Sequence, residues 1–134
     1  MKIIIGVKGT GKTKALIDMA NSALETSKGS VICIEKGDKL RFDIKYQVRL
    51  IDSDEYHVND ADALYGFVAG ILASDHDVTD LFIDSALKIC KNDYDAFDSF
   101  LKDLDFLAKK IGVNVVITSS IPVEEASETV KQYI

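Results

Sequence analysis

The sequence contains few of the residues that break secondary structure or cross-link a chain. Its 134 residues include one proline, eight glycines, two cysteines and no tryptophan, and only two arginines, Arg41 and Arg49. So few prolines and glycines argue against a disordered chain. Since 47% of the residues are hydrophobic, a domain of this length can bury a core without metals or disulfides. We therefore expect residues 1–134 to form a single domain.

Long apolar runs are also absent. No run approaches the ~18 residues of a transmembrane helix, and residues 1–5 are too short for a signal sequence and indicate a strand. Cys33 and Cys90 lie far apart within apolar patterns, which favours two buried free thiols over a disulfide. These features predict a cytoplasmic protein that does not bind membranes.

The net charge of −6 is unevenly distributed. Residues 1–49 contain ten Lys or Arg against five Asp or Glu, whereas residues 50–105 contain three against fourteen. Binding to a nucleic-acid duplex is disfavoured, because it requires a positive face. The basic residues of the first third either serve an anionic ligand or are simply solvated; those left open in this way are Lys28, Lys36, Lys39 and Lys45.

Short apolar runs alternate with segments of helical periodicity. The runs predict buried strands at 2–5, 31–34, 79–84 and 113–118, and an alternating pattern predicts an edge strand at 47–51. Helices are expected at 12–28, from a cap at Asn59 or Asp60, at 94–110 and at 123–133. Such alternation predicts an α/β fold with three layers, α/β/α, around a mainly parallel sheet.

A glycine-rich segment between the first strand and the first helix matches the pattern G-x-x-x-x-G-K-[ST]. In this context consecutive N–H groups can surround phosphate oxygens at the positive end of the helix dipole. Lys12 is expected to contact the β- and γ-phosphates of a nucleotide, and Thr13 to offer its hydroxyl to Mg²⁺. The predicted nucleotide-binding residues are Gly6, Val7, Lys8, Gly9, Thr10, Gly11, Lys12, Thr13 and Lys14.

Polar residues at the ends of three other strands complete the predicted site. Asp84 ends the strand at 79–84 and is expected to hold Mg²⁺ together with Thr13, the alternative being a helix cap. Glu35 either orients the attacking water or is an ordinary turn residue. Ser119 and Ser120 either sense the γ-phosphate or cap the next helix; Ser119 is the sensor candidate. The predicted catalytic residues are Lys12 and Glu35.

With these features in place, the chain resembles the RecA/KaiC-like division of P-loop ATPases. The resemblance rests on residues 31–35, on residues 60–64 with the strand ending at Asp84-Ser85, and on residues 115–119. It implies a catalytic glutamate at Glu35 and a polar sensor at the end of the last strand. An arginine finger would come from another subunit or a partner protein, since the chain has only two arginines.

Three functions are compatible with these residues. The first is a slow or partner-stimulated ATPase or ATP-dependent switch, with ATP as ligand and Mg²⁺ as cofactor. The second is a small-molecule kinase of the nucleoside or nucleotide type, although such kinases usually use several arginines to bind phosphates. The third is a regulatory module that binds a nucleotide without hydrolysing it, in which Glu35 is only a turn residue.

Overall fold

Five strands alternate with helices along the chain. The computed structural model describes all residues from Met1 to Ile134. The strands are β1 (Lys2–Ile5), β2 (Ser30–Glu35), β3 (Arg49–Asp52), β4 (Val78–Ile83) and β5 (Asn114–Ser119). The helices are α1 (Lys12–Thr26), α2 (Ala61–Ser74), α3 (Ala86–Ile89), α4 (Tyr94–Ile111) and α5 (Glu128–Lys131), and single 3₁₀ turns occur at Ser53–Tyr56 and Val123–Glu125.

The strands form one sheet in the order β1-β5-β4-β2-β3. Every neighbouring pair is parallel, so the carboxyl ends of all five strands lie at the same edge of the sheet. The expected edge strand exists as β3, two residues later than predicted at its start, and pairs with β2. This edge of the sheet collects the residues that follow each strand, among them the glycine-rich segment after β1.

Helices cover both faces of the sheet, as the three-layer prediction requires. One face packs against α2 and α4, and this side contains a core cluster of 25 buried residues. The other face packs against α1 and the irregular segment 36–48, where a second cluster of eight buried residues includes Leu16, Leu40, Ile44 and Val48. Burial on both faces explains why β2 and β4 are continuous apolar runs rather than alternating ones.

Side-chain caps fix the starts of the two long helices on the larger core. The carboxylate of Asp60 accepts a hydrogen bond of 2.7 Å from Ala63 N–H, and Asp93 does the same for Ala96 at 3.1 Å. Gly112 ends α4 with a φ of 76°, a left-handed conformation that favours glycine. The apolar face of α4 contains the buried Phe97 and belongs to the core, as its helical spacing predicts.

Two sequence expectations about helices are wrong, and one short helix was not expected. The helix predicted at 123–133 is interrupted, because Ala126 is extended and Ser127 caps a new turn by accepting a hydrogen bond from Val130 N–H at 3.1 Å. The short helix α3, directly after β4, was not predicted. In addition α1 ends at Thr26, before the glycine that was expected to terminate it.

Gly29 is required by close contact rather than by backbone conformation. A Cβ atom at this position would lie 1.9 Å from the carbonyl oxygen of Asp77, and that oxygen already accepts a hydrogen bond from Ser30 N–H. We expect Gly29→Ala to lower the free energy of unfolding by about 1–3 kcal/mol, as overpacking does, which corresponds to a fall in Tm of roughly 3–15 °C. Thermal unfolding followed by circular dichroism measures this.

Gly70 provides a matched control for Gly29. It lies on the exposed side of α2, where an added Cβ would meet nothing within 4 Å. Gly70→Ala should therefore raise stability by up to about 1 kcal/mol through helix propensity. Equal Tm changes in the two variants would contradict the assigned contact between Gly29 and Asp77.

The two cysteines are free and buried, as predicted. Cys33 belongs to the cluster under α1, and Cys90 belongs to the larger cluster on the opposite face. Burial raises the pKa of both thiols, that of Cys90 to about 12, so both are protonated and unreactive near neutral pH. None of the helices combines the length and apolar character needed to cross a membrane.

Candidate functional site

A cleft of about 470 Å³ opens at the carboxyl edge of the sheet. It contains the glycine-rich segment after β1, the start of α1, and residues that follow β2, β4 and β5. A larger apolar groove of about 600 Å³ lies between α2 and α4 and contains none of the predicted site residues. The lining residues of the cleft are Lys8, Gly9, Gly11, Lys12, Thr13, Lys14, Glu35, Lys36, Lys39, Leu40, Asp84, Ser85, Lys88 and Ser120.

The glycine-rich segment, residues 6–13, forms a turn that is kept open by its glycines. Gly9 and Gly11 have φ angles of 85° and 84°, which residues with a Cβ rarely adopt. Gly11 is the N-cap of α1 but contributes no side-chain cap, and the first turn of α1 contains no acidic residue. The positive end of this 15-residue helix is therefore free to face an anion in the cleft.

Lys12 is the most buried lysine of the cleft, with 9% of its surface exposed. Its Nζ donates a hydrogen bond of 2.8 Å to the carbonyl oxygen of Val7, and the hydroxyl of Thr10 donates to the same oxygen at 2.8 Å. A buried ammonium group needs a stronger acceptor than one carbonyl to be well compensated. A phosphate oxygen within the loop would be such an acceptor.

Thr13, Asp84 and Thr118 form one hydroxyl–carboxylate cluster. Oδ1 of Asp84 accepts hydrogen bonds from Thr13 Oγ1 at 3.2 Å and from Thr118 Oγ1 at 2.7 Å. The Thr118 oxygen in turn accepts from Ser85 N–H at 2.8 Å. Asp84, with 8% of its surface exposed, is therefore held in one orientation beside Thr13.

This pair suits magnesium by its chemistry. Mg²⁺ prefers oxygen ligands, and proteins often bind it through one or two side chains, the remaining positions being filled by water and substrate phosphates. The Thr13 hydroxyl and the Asp84 carboxylate are such ligands and lie within 3.2 Å of each other. No group of three or more His, Cys, Asp or Glu side chains is arranged for a metal.

Glu35 lies in the cleft with its carboxylate already engaged. Only 2% of its surface is exposed, and its oxygens accept hydrogen bonds from the backbone N–H groups of Lys39 and Leu40 at 3.0 and 3.1 Å. Burial raises the pKa of the Glu35 carboxyl, an effect that those two hydrogen bonds oppose and the nearby Asp84 reinforces. The carboxylate therefore holds the turn after β2 in this arrangement, within reach of the cleft.

Ser119, the sensor candidate, is not brought to the cleft. It is fully buried, and its Oγ accepts from Leu87 N–H at 3.3 Å and donates to the Thr118 carbonyl at 2.7 Å. Successive side chains along a strand point to opposite faces, so Thr118 and Ser120 reach the site while Ser119 faces the opposite way. That alternation, applied to the run Thr118-Ser119-Ser120, is the signal that identifies Thr118 and Ser120.

Six lysines line the cleft, in a protein whose net charge is −6. Lys14 and Lys36 are paired with Asp18 and Asp54. The other four have no ion pair: Lys8, Lys12, Lys39 and Lys88. Together with the carboxylates of Glu35 and Asp84, these four give the cleft a surplus of two positive charges, about the charge that Mg-ATP would neutralise. Sequence reasoning left Lys36 and Lys39 open and did not consider Lys88.

Neither arginine belongs to the cleft. Arg41 lies 3.6 Å from a carboxylate oxygen of Asp38 and stacks over the Phe42 ring at 4.8 Å. Arg49 is on β3, where it lines a shallow pocket away from the glycine-rich segment. The positive charge of the cleft is therefore supplied by lysines alone.

Fold and cleft together define the class of this chain as a three-layer α/β protein with a five-stranded parallel sheet and a glycine-rich loop after its first strand. No family model and no curated protein matches the sequence. Among solved structures, it is similar to the flagellar accessory protein FlaH from Methanocaldococcus jannaschii, with a TM-score of 0.57 and 16% identity. The match covers 97% of this chain and 64% of that one. At this identity the likeness shows the fold alone, and this chain spans less than two thirds of its neighbour.

Proposed function

We propose that the protein binds Mg-ATP and hydrolyses it slowly, as an ATP-dependent switch. The observation that carries this proposal is the surplus of positive charge in the cleft, which also contains the free N-terminus of α1 and the Thr13–Asp84 pair. A triphosphate with one divalent cation is the ligand that matches both halves of this arrangement. The fold, which is similar to that of FlaH, supports nucleotide binding in general rather than ATP hydrolysis in particular.

Each residue has a defined task in this proposal. The N–H groups of residues 8–13 and the Lys12 ammonium bind phosphate oxygens, and Lys12 exchanges its bond to the Val7 carbonyl for one to phosphate. Thr13 and Asp84 would hold the Mg²⁺, which neutralises charge on the β- and γ-phosphates when it is bound. Thr118 keeps the Asp84 carboxylate in place through its 2.7 Å hydrogen bond.

Glu35 orients water only after a rearrangement. Its carboxylate keeps acceptor positions beyond the hydrogen bonds from the N–H groups of Lys39 and Leu40, but with 2% of its surface exposed it must move toward the cleft before water can reach them. The absence of any arginine from the cleft leaves γ-phosphate charge without a guanidinium donor. We infer that turnover is slow in the isolated protein and that a second copy or a partner supplies an arginine finger.

The two free thiols suit the reducing environment of the cytoplasm, where we propose that this protein acts.

A second function is favoured by the same contacts of Glu35. If the carboxylate never leaves the N–H groups of Lys39 and Leu40, the protein binds nucleotide without hydrolysing it and acts as a regulatory module. A small-molecule kinase finds less support, since a lysine-only cleft lacks the bidentate donors that such enzymes use for phosphates.

Glu35→Gln separates these functions. If Glu35 orients water, the rate of phosphate release from Mg-ATP should fall about 100-fold. Because the glutamine NH₂ cannot accept one of the two N–H groups of the turn, the Tm should also fall by about 3–8 °C, and the affinity for Mg-ATP should fall less than about fivefold. Phosphate release is measured by a coupled assay, with and without added nucleosides as acceptors. Glu25→Gln, on the exposed side of α1, is the matched control and should leave the rate unchanged.

The outcomes identify each function separately. Unchanged release in Glu35→Gln removes this residue from the mechanism, and tight Mg-ATP binding with no release in the wild type identifies the regulatory module. Release that requires an added nucleoside identifies a kinase.

A further inference from the structure

A smaller cleft of about 160 Å³ adjoins the nucleotide cleft. We call it the side cleft. It lies between α3 and the segment after β5, and its lining residues are Ser85, Leu87, Lys88, Asn92 and Ser120. Three of these, Ser85, Lys88 and Ser120, also line the nucleotide cleft, so the two clefts are adjacent and share a wall. Its volume suits a group the size of one phosphate or carboxylate with a few waters.

The residues that line the side cleft carry hydrogen-bond donors, and none of them is acidic. Lys88 contributes an ammonium group, Asn92 an amide, and Ser85 and Ser120 hydroxyls. The side chains of Lys88, Asn92 and Ser120 have no hydrogen-bond or ion-pair partner within the protein. Ser85 donates to Asp84 at 3.3 Å, the carboxylate assigned to Mg²⁺. A cleft that offers several donors around one ammonium group fits an oxyanion better than a cation or an apolar ligand.

Hydrogen bonds from backbone N–H groups hold the walls of the side cleft. Leu87 N–H donates to Ser119 Oγ at 3.3 Å, and its carbonyl accepts from Asn92 N–H at 2.9 Å. Ser85, Lys91 and Asn92 have φ angles of 56–58°, and they are three of the four non-glycine residues with positive φ in this chain. Such conformations cost free energy and persist where the surroundings impose them, often at functional sites. The buried Ser119 therefore has a role here, as an anchor of α3.

We propose that the side cleft binds a small oxyanion next to the nucleotide. This deepens the proposed function and rests on it, because a ligand there would share Lys88 with the bound nucleotide. Two sources of the oxyanion have the same chemistry. One is the free phosphate released by hydrolysis, which would bind in the side cleft before it dissociates from the protein. The other is a phosphate group on a second, small substrate.

Chemical shifts of the Leu87 and Lys88 amides in ¹⁵N-labelled full-length protein test this proposal. The nucleotide cleft is first saturated with a non-hydrolysable Mg-ATP analogue, and inorganic phosphate is then added at constant ionic strength. We expect saturable shifts, weakened about tenfold or more in Asn92→Asp, which keeps the left-handed conformation but adds a repelling carboxylate. The matched control, Lys91→Gln, makes the same change in net charge on a neighbouring residue outside the side cleft, and should change the affinity less than twofold or so.

Phenyl phosphate in a second titration distinguishes the two sources. Binding about tenfold tighter than that of inorganic phosphate points to a phosphorylated substrate, and equal or weaker binding points to released phosphate. The absence of saturable shifts up to about 50 mM phosphate, or equal shifts in wild type and Asn92→Asp, would overturn the proposal.

The outcome does not depend on nucleotide binding. If the wild type fails to bind the analogue, the same titration in Lys12→Met, without nucleotide, still reports on the side cleft through the Leu87 amide. A saturable shift there supports the oxyanion site although the proposed function has failed. Its absence there overturns the oxyanion site as well.

Discussion

Lys12→Met is expected to weaken Mg-ATP binding at least about 30-fold. Loss of a buried, hydrogen-bonded charge partner typically costs about 2 kcal/mol or more in binding, and 1.4 kcal/mol corresponds to tenfold. Lys12 is the most buried of the cleft lysines, so none of the others can replace it. Calorimetric titration of Mg-ATP into each protein measures the change.

We expect the free energy of unfolding of nucleotide-free Lys12→Met to be equal to or higher than that of the wild type. In the nucleotide-free protein the Lys12 ammonium has one partner, the Val7 carbonyl, so its removal leaves no unpaired carboxylate behind. Lys102→Met, an exposed lysine on α4 outside the cleft, is the matched control and should bind Mg-ATP like the wild type. Equal affinities in Lys12→Met and Lys102→Met would refute the assignment of residues 6–13 to phosphate binding.

Asp84→Asn should uncouple nucleotide binding from magnesium. The amide oxygen of asparagine can still accept the hydrogen bond from Thr118, so the local structure is kept while the carboxylate is lost. We expect any phosphate release to fall about 100-fold or more, equivalent to ~2.7 kcal/mol of transition-state stabilisation. ATP affinity, which in the wild type should be higher with Mg²⁺ than with EDTA, should become nearly independent of Mg²⁺. Calorimetry at both conditions and a phosphate-release assay measure these effects.

Asp80→Asn is the matched control for Asp84→Asn. Asp80 lies on the same strand, and its carboxylate accepts hydrogen bonds from Thr79 and Asn114 near the opposite end of β4. This variant should retain the wild-type response to Mg²⁺. If Asp84→Asn also retains it, the metal role of Asp84 is wrong.

The elements that could be predicted from sequence are those whose local residue pattern is compatible with only one type of secondary structure. Residues 31–34 are a continuous apolar run and form the doubly buried part of β2. Asp60 caps α2 with its carboxylate, and Gly112 ends α4 in a left-handed backbone conformation that favours glycine. The glycine-rich segment could be predicted to bind phosphate from sequence alone because its glycines, Lys12 and Thr13 lie within eight consecutive residues, and this role stays a prediction. Each of these depends on neighbouring residues alone.

The parts that could not be predicted depend on long-range contacts. Lys39 and Lys88 reach the cleft only because β4 lies beside β2 in the sheet, an order that local patterns do not specify. The engagement of Glu35 by Lys39 and Leu40 depends on how the segment 36–48 folds back over the sheet. The helix predicted at 123–133 is interrupted at Ser127, whose hydroxyl also donates a hydrogen bond to Asp98 on α4. This tertiary contact overrides the helical periodicity of the sequence.

The most direct test of the proposed function is competition between nucleotides for the wild-type protein. A fluorescent ATP analogue is bound in the presence of Mg²⁺ and then displaced by ATP, ADP or AMP. Since the cleft contacts proposed for the ligand are to β- and γ-phosphates and to Mg²⁺, ATP should displace the analogue far better than AMP, by about 100-fold or more, and EDTA should reduce this difference. Equal displacement by AMP and ATP, or no binding of the analogue, would contradict a Mg-ATP site in this cleft.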